Sequence, residues 1–344
     1  MKPHALLAAC LLSLGCVSAL LAAAVPPPIV SHAAPYASFG KIVRLDPALD
    51  ELLAPDARME NLAEGFTWSE GPLWLPREQR LIFNDVPNNI AYAWKDGGKI
   101  EVFLSPSGFT DRGTQGSTEG GNGMALDAQG RILICQHGDR CLGRLNPDGR
   151  SFTVLAERFG GKRFNSPNDL CLDARGNIYF TDPPYGLKNG VRELDVHGVY
   201  RLAPDGTVTL LSKELERPNG IALTPDGRTL LVANSQDARP ILMAFDLRPD
   251  GTVAPGRVFF DAQGLLAQGL RGGLDGLRID TRGNVWTTGP GGVHILDPQG
   301  KLLGSLLTTR AANVAFGGPD GSMLYITAAG TLCRIQTKTK GQGF

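Results

Sequence analysis

The chain has 344 residues, and its 34 acidic side chains balance its 34 basic ones. This balance lacks the basic surplus that is typical of nucleic-acid-binding proteins, so we expect no nucleic-acid partner. Glycine (44 residues) and proline (24 residues) are abundant. With few long helical patterns, this composition is typical of many tight turns between short strands.

The N-terminus has the pattern of a secretory signal peptide. Lys2 and His4 precede a run of small apolar residues, and the alanines at 22–24 offer a cleavage site. We therefore expect a signal peptide over residues 1–24 and an exported, periplasmic protein with no membrane span in the mature chain. Two alternatives stay open. The apolar run, about 20 residues long, could anchor the chain in a membrane, and Cys16 could carry a lipid anchor.

A turn followed by a short apolar strand recurs along the chain. The clearest copy is the segment DARGNIYFTD at residues 173–182, and the other five begin near residues 75, 127, 225, 280 and 319. A period of roughly 40–50 residues with several strands in each unit is typical of propellers. A second turn of the Pro-Asp-Gly type follows in most units, as at residues 146–149. Each unit is therefore predicted to hold four strands, which make one propeller blade.

The sixth unit has no second turn and no fourth strand after residue 336. A blade left open there would expose a strand edge, and we expect the segment near residues 58–62 to supply the missing strand. The sequence thus predicts an all-β fold, a six-bladed β-propeller of four-stranded antiparallel blades whose last blade is closed by an N-terminal strand. Residues 25–42 are expected to form a flexible leader, and residues 43–344 the single propeller domain.

Four cysteines follow the expected signal peptide. Cys135 and Cys141 flank a short connection between two predicted strands, so they could face each other and form a disulfide in an exported protein. Cys171 and Cys333 stand in apolar contexts and are expected in the core. The sequence has no Cys-x-x-Cys pair, which argues against a zinc ribbon.

A polar residue opens the innermost predicted strand of every unit. Equivalent residues of a propeller converge at one mouth of its channel, so we expect these side chains to form a ring. They are Glu70, Asn122, Asn168, Asn219, Asp275 and Asn313. Their carboxylate and amide oxygens suit Ca²⁺, with Mg²⁺, Mn²⁺ or Zn²⁺ as alternatives. For any one position a turn-forming role is the competing interpretation, because Asn and Asp favour turns.

Several short sequence motifs between about residue 60 and residue 336 resemble those of one protein family. They are Glu70-Gly71-Pro72-Leu73-Trp74, Ser166-Pro167-Asn168-Asp169, Phe180-Thr181-Asp182-Pro183-Pro184-Tyr185-Gly186, Pro218-Asn219-Gly220, Leu274-Asp275-Gly276 and Asn313-Val314-Ala315-Phe316-Gly317-Gly318. The family comprises gluconolactonase, senescence marker protein (regucalcin) and luciferin-regenerating enzyme. The resemblance implies a six-bladed propeller with a catalytic divalent cation in its channel. One departure is Gly71, which stands where the family usually has a serine.

Carried over by position, the resemblance implies that Glu70, Asn219 and Asp275 bind the cation. Asn168 stands where the family has a fourth ligand or a substrate contact. The resemblance also implies hydrolysis of a sugar lactone, in which the cation polarises the carbonyl and water attacks. Asp275 is the family's usual candidate for the base that takes the proton, although a carboxylate bound to a cation is a weakened base.

His137 is a second candidate for the base, because it follows a predicted inner strand and histidine is a common general base. A structural loop histidine is the alternative. Asn122, Tyr185 and Asn313 are candidate contacts for a small sugar lactone. Two other functions stay open. The same site could act on another lactone or an organophosphate ester, or the propeller could be a non-catalytic binding scaffold. The sequence does not predict an oligomeric state.

Overall fold

The structure of the chain is a computed structural model that describes residues 28–113, 117–187 and 192–344. The signal peptide expected over residues 1–24 and the lipid-anchor alternative at Cys16 lie outside these residues, so both stay predictions. Within the described ranges, no helix is both long enough and apolar enough to cross a membrane.

The described residues form a six-bladed β-propeller of antiparallel blades, which confirms the predicted fold. From the innermost strand outward, blade 1 comprises Ser69–Leu75, Arg80–Asp85, Ile90–Trp94 and Glu101–Leu104, and blade 2 comprises Gly121–Leu126, Ile132–Gln136, Cys141–Leu145 and Phe152–Ala156. Blade 3 comprises Leu170–Leu172, Ile178–Asp182, Gly198–Leu202 and Val208–Ser212, and blade 4 comprises Pro218–Leu223, Thr229–Asn234, Ile241–Asp246 and Arg257–Asp261. Blade 5 comprises Leu277–Ile279, Val285–Gly289, Gly292–Leu296, Leu302–Leu307 and Lys41–Arg44, and blade 6 comprises Asn313–Gly317, Met323–Ala328, Thr331–Gln336 and Met59–Glu64.

The remaining elements are short. They are the strands Val30–Ser31 and Ser38–Phe39, the two-stranded ribbon Arg158–Phe159 and Lys162–Arg163, the 3₁₀ helices Pro47–Glu51 and Val86–Asn88, and the α-helix Gln263–Ala267.

Blade 6 combines strands from both ends of the described chain. Met59–Glu64 pairs antiparallel with Thr331–Gln336, and Met59 lies opposite Ile335. This pairing satisfies the backbone groups of an edge that would otherwise stay unpaired. It confirms the predicted closure of the last blade by an N-terminal strand.

Residues 28–42 do not form the flexible leader that we expected there. Val30–Ser31 and Ser38–Phe39 both pair with the outer strand of blade 6, and Lys41–Arg44 adds a fifth strand to blade 5. The expectation was wrong over these residues because it rested on proline and alanine content alone. The short extended stretches between the prolines cover two sheet edges that would otherwise be exposed.

The recurring turn connects the innermost strand of a blade to its second strand. In blade 3, Asp173 Oδ1 accepts hydrogen bonds from the backbone N–H groups of Arg175 and Asn177, at 2.9 Å each. Gly176, between them, has a φ of +81°, which glycine adopts without a steric penalty. Asp280 makes the same two kinds of bond in blade 5. This local chemistry sets the hairpin that directs each innermost strand along the channel.

The hydrophobic core lies between neighbouring blades. Between blades 6 and 1, Trp74 stacks on Tyr325 with ring centroids 5.5 Å apart, and Leu62 is fully buried in the same cluster. Between blades 5 and 6, Trp286 packs edge-on against Phe316 at 5.7 Å. A fully buried leucine contributes about 1.5–3 kcal/mol. This packing holds the blades around the axis and thereby fixes the strand ends that surround the channel.

Cys135 and Cys141 do not form the disulfide that their spacing suggested. Both are buried free thiols. Cys135 lies opposite Leu142, whereas Cys141 lies opposite Gln136, and neighbouring residues of a strand point to opposite faces of the sheet. The two thiols therefore lie on opposite faces of blade 2. Cys333 is buried in the core as expected.

Candidate active site

A cavity of about 650 Å³ opens at one mouth of the propeller channel. It is lined by residues predicted as ligands, bases or substrate contacts, namely Glu70, Asn122, His137, Asn168, Tyr185, Asn219 and Asp275. These side chains come from blades 1 to 5 and from the loops beside their innermost strands. A second cavity, of about 590 Å³, lies at the other mouth and is lined by none of them.

Asn313 does not line this cavity, because the ring position of blade 6 is one residue earlier in the chain. The N–H of Gly123 donates to the carbonyl oxygen of Asn168, and the N–H of Gly276 donates to that of Ala312, at 2.8 Å each. Ala312 therefore occupies in blade 6 the place that Asn168 occupies in blade 3. Asn313 lies one layer deeper and is 1% exposed, so the expected substrate contact by Asn313 was wrong.

The ring is compact because glycines lie directly beneath it. A Cβ atom at Gly71 would collide with the carbonyl oxygen of Asn122, and one at Gly220 would collide with that of Asp275. These glycines let the innermost strands approach more closely than any larger residue would permit. The ring residues of neighbouring blades are thereby brought to one cavity.

Glu70 is a buried acid, and one of its two carboxylate oxygens already accepts hydrogen bonds from the protein. Its Oε2 accepts hydrogen bonds from the Gly71 N–H and from Asn313 Nδ2, the latter at 3.0 Å. Burial raises the pKa of Glu70 to about 7, and the charge of nearby Asp169 contributes to the rise. The ionised carboxylate is therefore poorly solvated here and would be stabilised by a cation.

Asp275 is partly exposed to the cavity but otherwise surrounded by protein. Burial raises its pKa well above the ordinary range, and the charges of Glu70 and Asp169 raise it further. Arg310 and a hydrogen bond from Asn219 act in the opposite direction. Three acids thus share one poorly solvated region, a cluster that protons or a cation would stabilise.

The described residues contain no group of three or more His, Cys, Asp or Glu side chains placed to hold a metal ion. A cation in this cavity would therefore need amide oxygens as ligands. Asn219 Nδ2 donates to Ser235 Oγ at 3.0 Å, and Asn122 Nδ2 lies 3.2 Å from His137 Nε2. These contacts involve the Nδ2 atoms of Asn219 and Asn122, so the Oδ1 atom of each amide remains available as an acceptor. Asn122 Oδ1 has no hydrogen-bond partner among the described residues.

His137 lies in the wall of the cavity and is 2% exposed. Its Nδ1 lies 3.8 Å from Glu119 Oε2. Its Nε2 faces the amide nitrogen of Asn122, and the tautomer that accepts a hydrogen bond from this nitrogen has its N–H at Nδ1, on the side of Glu119. The sequence did not predict a role for Glu119, which follows no motif and meets His137 only through the fold.

Tyr185 and two arginines complete the mouth of the cavity. Burial raises the pKa of Tyr185 to about 12, and the charge of Asp275 adds to the rise. The Tyr185 hydroxyl therefore keeps its proton at neutral pH and can donate a hydrogen bond. Arg310 packs over the Trp68 ring at 4.7 Å, and Arg217 also lines the rim. These arginines lie outside the repeated ring, so the repeat gave no signal for them.

Known proteins are similar to this chain in sequence and in fold. Residues 68–330 match the family model described as SMP-30/Gluconolactonase/LRE-like region. The chain is 37% identical over 320 residues to a gluconolactonase of Zymomonas mobilis, with 88% of each chain covered. It is 26% identical over 265 residues to a pentonolactonase of Haloferax volcanii, with 76% of this chain and 81% of the relative covered.

Solved structures agree with the sequence matches. A gluconolactonase from Xanthomonas campestris superposes with a TM-score of 0.79 at 33% identity, covering 90% of this chain and 100% of that one. A luciferin-regenerating enzyme has a TM-score of 0.65 at 20% identity, covering 80% of this chain and 94% of that one, which shows the shared fold alone. The resemblance inferred from the sequence is confirmed, and the chain belongs to the SMP-30/gluconolactonase/LRE-like family.

Proposed function

We propose that this protein is a metal-dependent lactonase that hydrolyses a sugar lactone of the gluconolactone type. The observation that supports this most directly is the convergence of Glu70, Asn168, Asn219 and Asp275 on one cavity. Its volume of about 650 Å³ suits a small-molecule substrate. The family adds support, because relatives of this chain are named gluconolactonase and pentonolactonase.

Glu70, Asn168, Asn219 and Asp275 would hold the cation. The Oε1 atom of Glu70 accepts no hydrogen bond from the described residues, whereas Oε2 is taken by a backbone N–H and by Asn313. An all-oxygen set with two carboxylates fits Ca²⁺, with Mg²⁺, Mn²⁺ or Zn²⁺ as alternatives. When bound, such a cation would polarise the lactone carbonyl and stabilise negative charge on its oxygen.

The chain itself supplies the proton acceptor. Asp275 and His137 are the two candidates for the base that deprotonates the attacking water. Burial and the neighbouring acids raise the pKa of Asp275, whereas a bound cation would lower it. Glu119 Oε2, which lies 3.8 Å from His137 Nδ1, would help to orient the ring. The pH dependence of kcat in Asp275→Asn and His137→Gln would identify which group accepts the proton.

Asn122 and Tyr185 would bind the hydroxyl groups of the sugar ring. Asn122 offers an unpartnered oxygen acceptor, and Tyr185 offers a hydroxyl that stays protonated. Both line the same cavity as the acids. A polyol ring needs acceptors and donors of this kind, because its hydroxyl groups must be satisfied when they leave water.

We expect Ca²⁺ to raise the melting temperature more at pH 8 than at pH 6. In the metal-free protein the pKa of Glu70 is raised from 4.5 to about 7, so this carboxyl must lose a proton before it binds a cation. Between pH 6 and pH 8, Glu70 of the folded protein binds more protons than Glu70 of the unfolded chain does, because its pKa is higher in the folded state. The contribution of Glu70 to metal-free stability therefore falls as the pH rises. Thermal melts with Ca²⁺ and with a chelator measure the difference, and a larger shift at pH 6 would contradict it.

A substrate panel tests the proposed reaction. Purified protein in Ca²⁺ is assayed for proton release with gluconolactone, a pentonolactone, a homoserine lactone and an organophosphate triester. Heat-denatured protein corrects for spontaneous ring opening. We expect an aldonolactone to be turned over with a kcat/KM of about 10⁴ M⁻¹s⁻¹ or more. Preference for the pentonolactone would revise the sugar alone, whereas turnover of the triester without any aldonolactone would refute the proposal.

A further inference from the structure

Three side chains fill the channel directly beneath the proposed metal site. Asp169 and Asn313 are each 1% exposed. Asn313 Nδ2 lies 3.0 Å from Glu70 Oε2 and 3.3 Å from Asp169 Oδ2. Arg278 Nη1 approaches Asp169 Oδ2 to 3.6 Å from the opposite end of the channel. One amide nitrogen therefore bridges two buried carboxylates, and an arginine lies behind the second one.

Backbone contacts fix the orientation of the bridging amide. Asn313 Oδ1 accepts a hydrogen bond from the Val314 N–H at 2.9 Å, so the nitrogen must face the two acids. In the neighbouring blade, Gly276 lies against this amide. A Cβ atom at Gly276 would collide with the Asn313 side chain, so only glycine leaves room for it there. The amide therefore has a defined place and a single orientation in the channel.

Both carboxylate oxygens of Asp169 already contact donor groups of the protein. Its Oδ1 accepts the Leu170 N–H at 2.8 Å, and its Oδ2 faces both Asn313 and Arg278. Asp169 is also absent from the cavity lining, although it directly follows Asn168 in the chain. Its geometry is that of a residue that orients a neighbour. A buried carboxylate needs a compensating charge, which Arg278 supplies.

We propose that Asp169 and Asn313 are positioning residues that hold Glu70 with its Oε1 atom directed to a divalent cation. This inference rests on the proposed metal-dependent function. Asn313 occupies Oε2 of Glu70 through one N–H and is itself anchored by Asp169 through the same amide nitrogen. Groups that orient metal ligands in this way commonly change metal affinity 10–100-fold when they are removed.

Calcium titration calorimetry on chelator-treated full-length protein tests the proposal. We expect Asn313→Ala and Asp169→Asn each to weaken Ca²⁺ binding about 10–100-fold. The matched control is Asn284→Ala, which removes a buried amide that donates to the carboxylate of Asp280 at 2.9 Å, away from the cavity. Calcium affinity should be unchanged in the control. Thermal melts in chelator establish that each variant is folded, and Asp169→Asn, which keeps the side-chain size, serves if Asn313→Ala does not fold.

The outcomes separate this inference from the function on which it rests. If the unsubstituted protein binds no Ca²⁺, Mg²⁺, Mn²⁺ or Zn²⁺, the proposed metal site and the positioning roles both fail. If the unsubstituted protein binds Ca²⁺ and the folded Asn313→Ala and Asp169→Asn variants bind it equally well, the positioning roles alone are refuted. Weakening in the Asn284→Ala control to the same degree would also refute them.

Discussion

Replacing Asp275 by asparagine is expected to lower kcat/KM for gluconolactone at least about a thousand-fold. The change keeps the shape of the side chain but removes a charge that would face the cation and one of the two candidate bases. Loss of a general base alone costs about 10²–10⁴-fold. The fold should persist, because burial and the charges of Glu70 and Asp169 disfavour the ionised form of Asp275 in the metal-free protein.

A matched substitution in the same blade separates this effect from general damage. Asp297 lies in the outer turn of blade 5, where its Oδ1 accepts the N–H groups of Gln299 and Lys301. The Asp297→Asn variant keeps an oxygen that can accept both bonds and should retain full activity. Initial rates and melting curves of both variants distinguish a loss of catalysis from a loss of folded protein. Activity of Asp275→Asn within tenfold of the unsubstituted protein would rule out the assigned role.

Replacing Glu70 by glutamine is expected to weaken Ca²⁺ binding by about a hundred-fold or more. Groups that only orient a ligand already account for 10–100-fold, and Glu70 would contribute a full negative charge. The same change should raise the melting temperature measured in chelator at pH 8, where Glu70 is ionised, because it removes a charge that burial and the nearby Asp169 destabilise. Calorimetric titration and thermal melts measure these two effects, which have opposite signs.

Glu78→Gln is the control for Glu70→Gln. Glu78 lies in the surface hairpin of blade 1, where it pairs with Arg80, and an exposed ion pair of this kind contributes little to stability. Calcium affinity and melting temperature should both stay close to those of the unsubstituted protein. Equal calcium affinities for Glu70→Gln and Glu78→Gln would contradict a ligand role for Glu70.

The architecture could be predicted from the sequence because a propeller repeats its local chemistry. The Asp173 turn and its counterparts mark one hairpin in each blade, and counting these turns gives the number of blades. The missing fourth strand of the last unit led to the closing strand Met59–Glu64. The leader could not be predicted in the same way, since strand pairing at residues 28–42 depends on edges that only the assembled sheet exposes.

The candidate site was predictable only where the repeat aligned its residues. Glu70, Asn168 and Asp275 follow the repeated pattern and meet at one cavity. Asn313 was placed one residue out of register because blade 6 carries Ala312 at the ring position. Because of this shift, the sequence did not predict the contact between Asn313 and Glu70.

Asp169 and Glu119 lie beside the site, and the sequence assigned neither of them a role. Asp169 occupies the position that is Gly71, Gly123 and Gly220 in other blades. An alignment of the six repeats shows this exception to the glycine pattern, which could have identified Asp169 from the sequence. Glu119 gave no such signal, because only the path of its loop brings it to within 3.8 Å of the His137 ring.

The measurement that tests the metal-dependent lactonase most directly follows one preparation through three states. Gluconolactone hydrolysis and bound metal are measured in the purified protein, after chelation and dialysis, and after Ca²⁺ is returned. We expect activity to fall at least about a hundred-fold on chelation and to recover with about one equivalent of bound Ca²⁺. Full activity in a preparation that elemental analysis shows to be free of divalent metal would contradict the account.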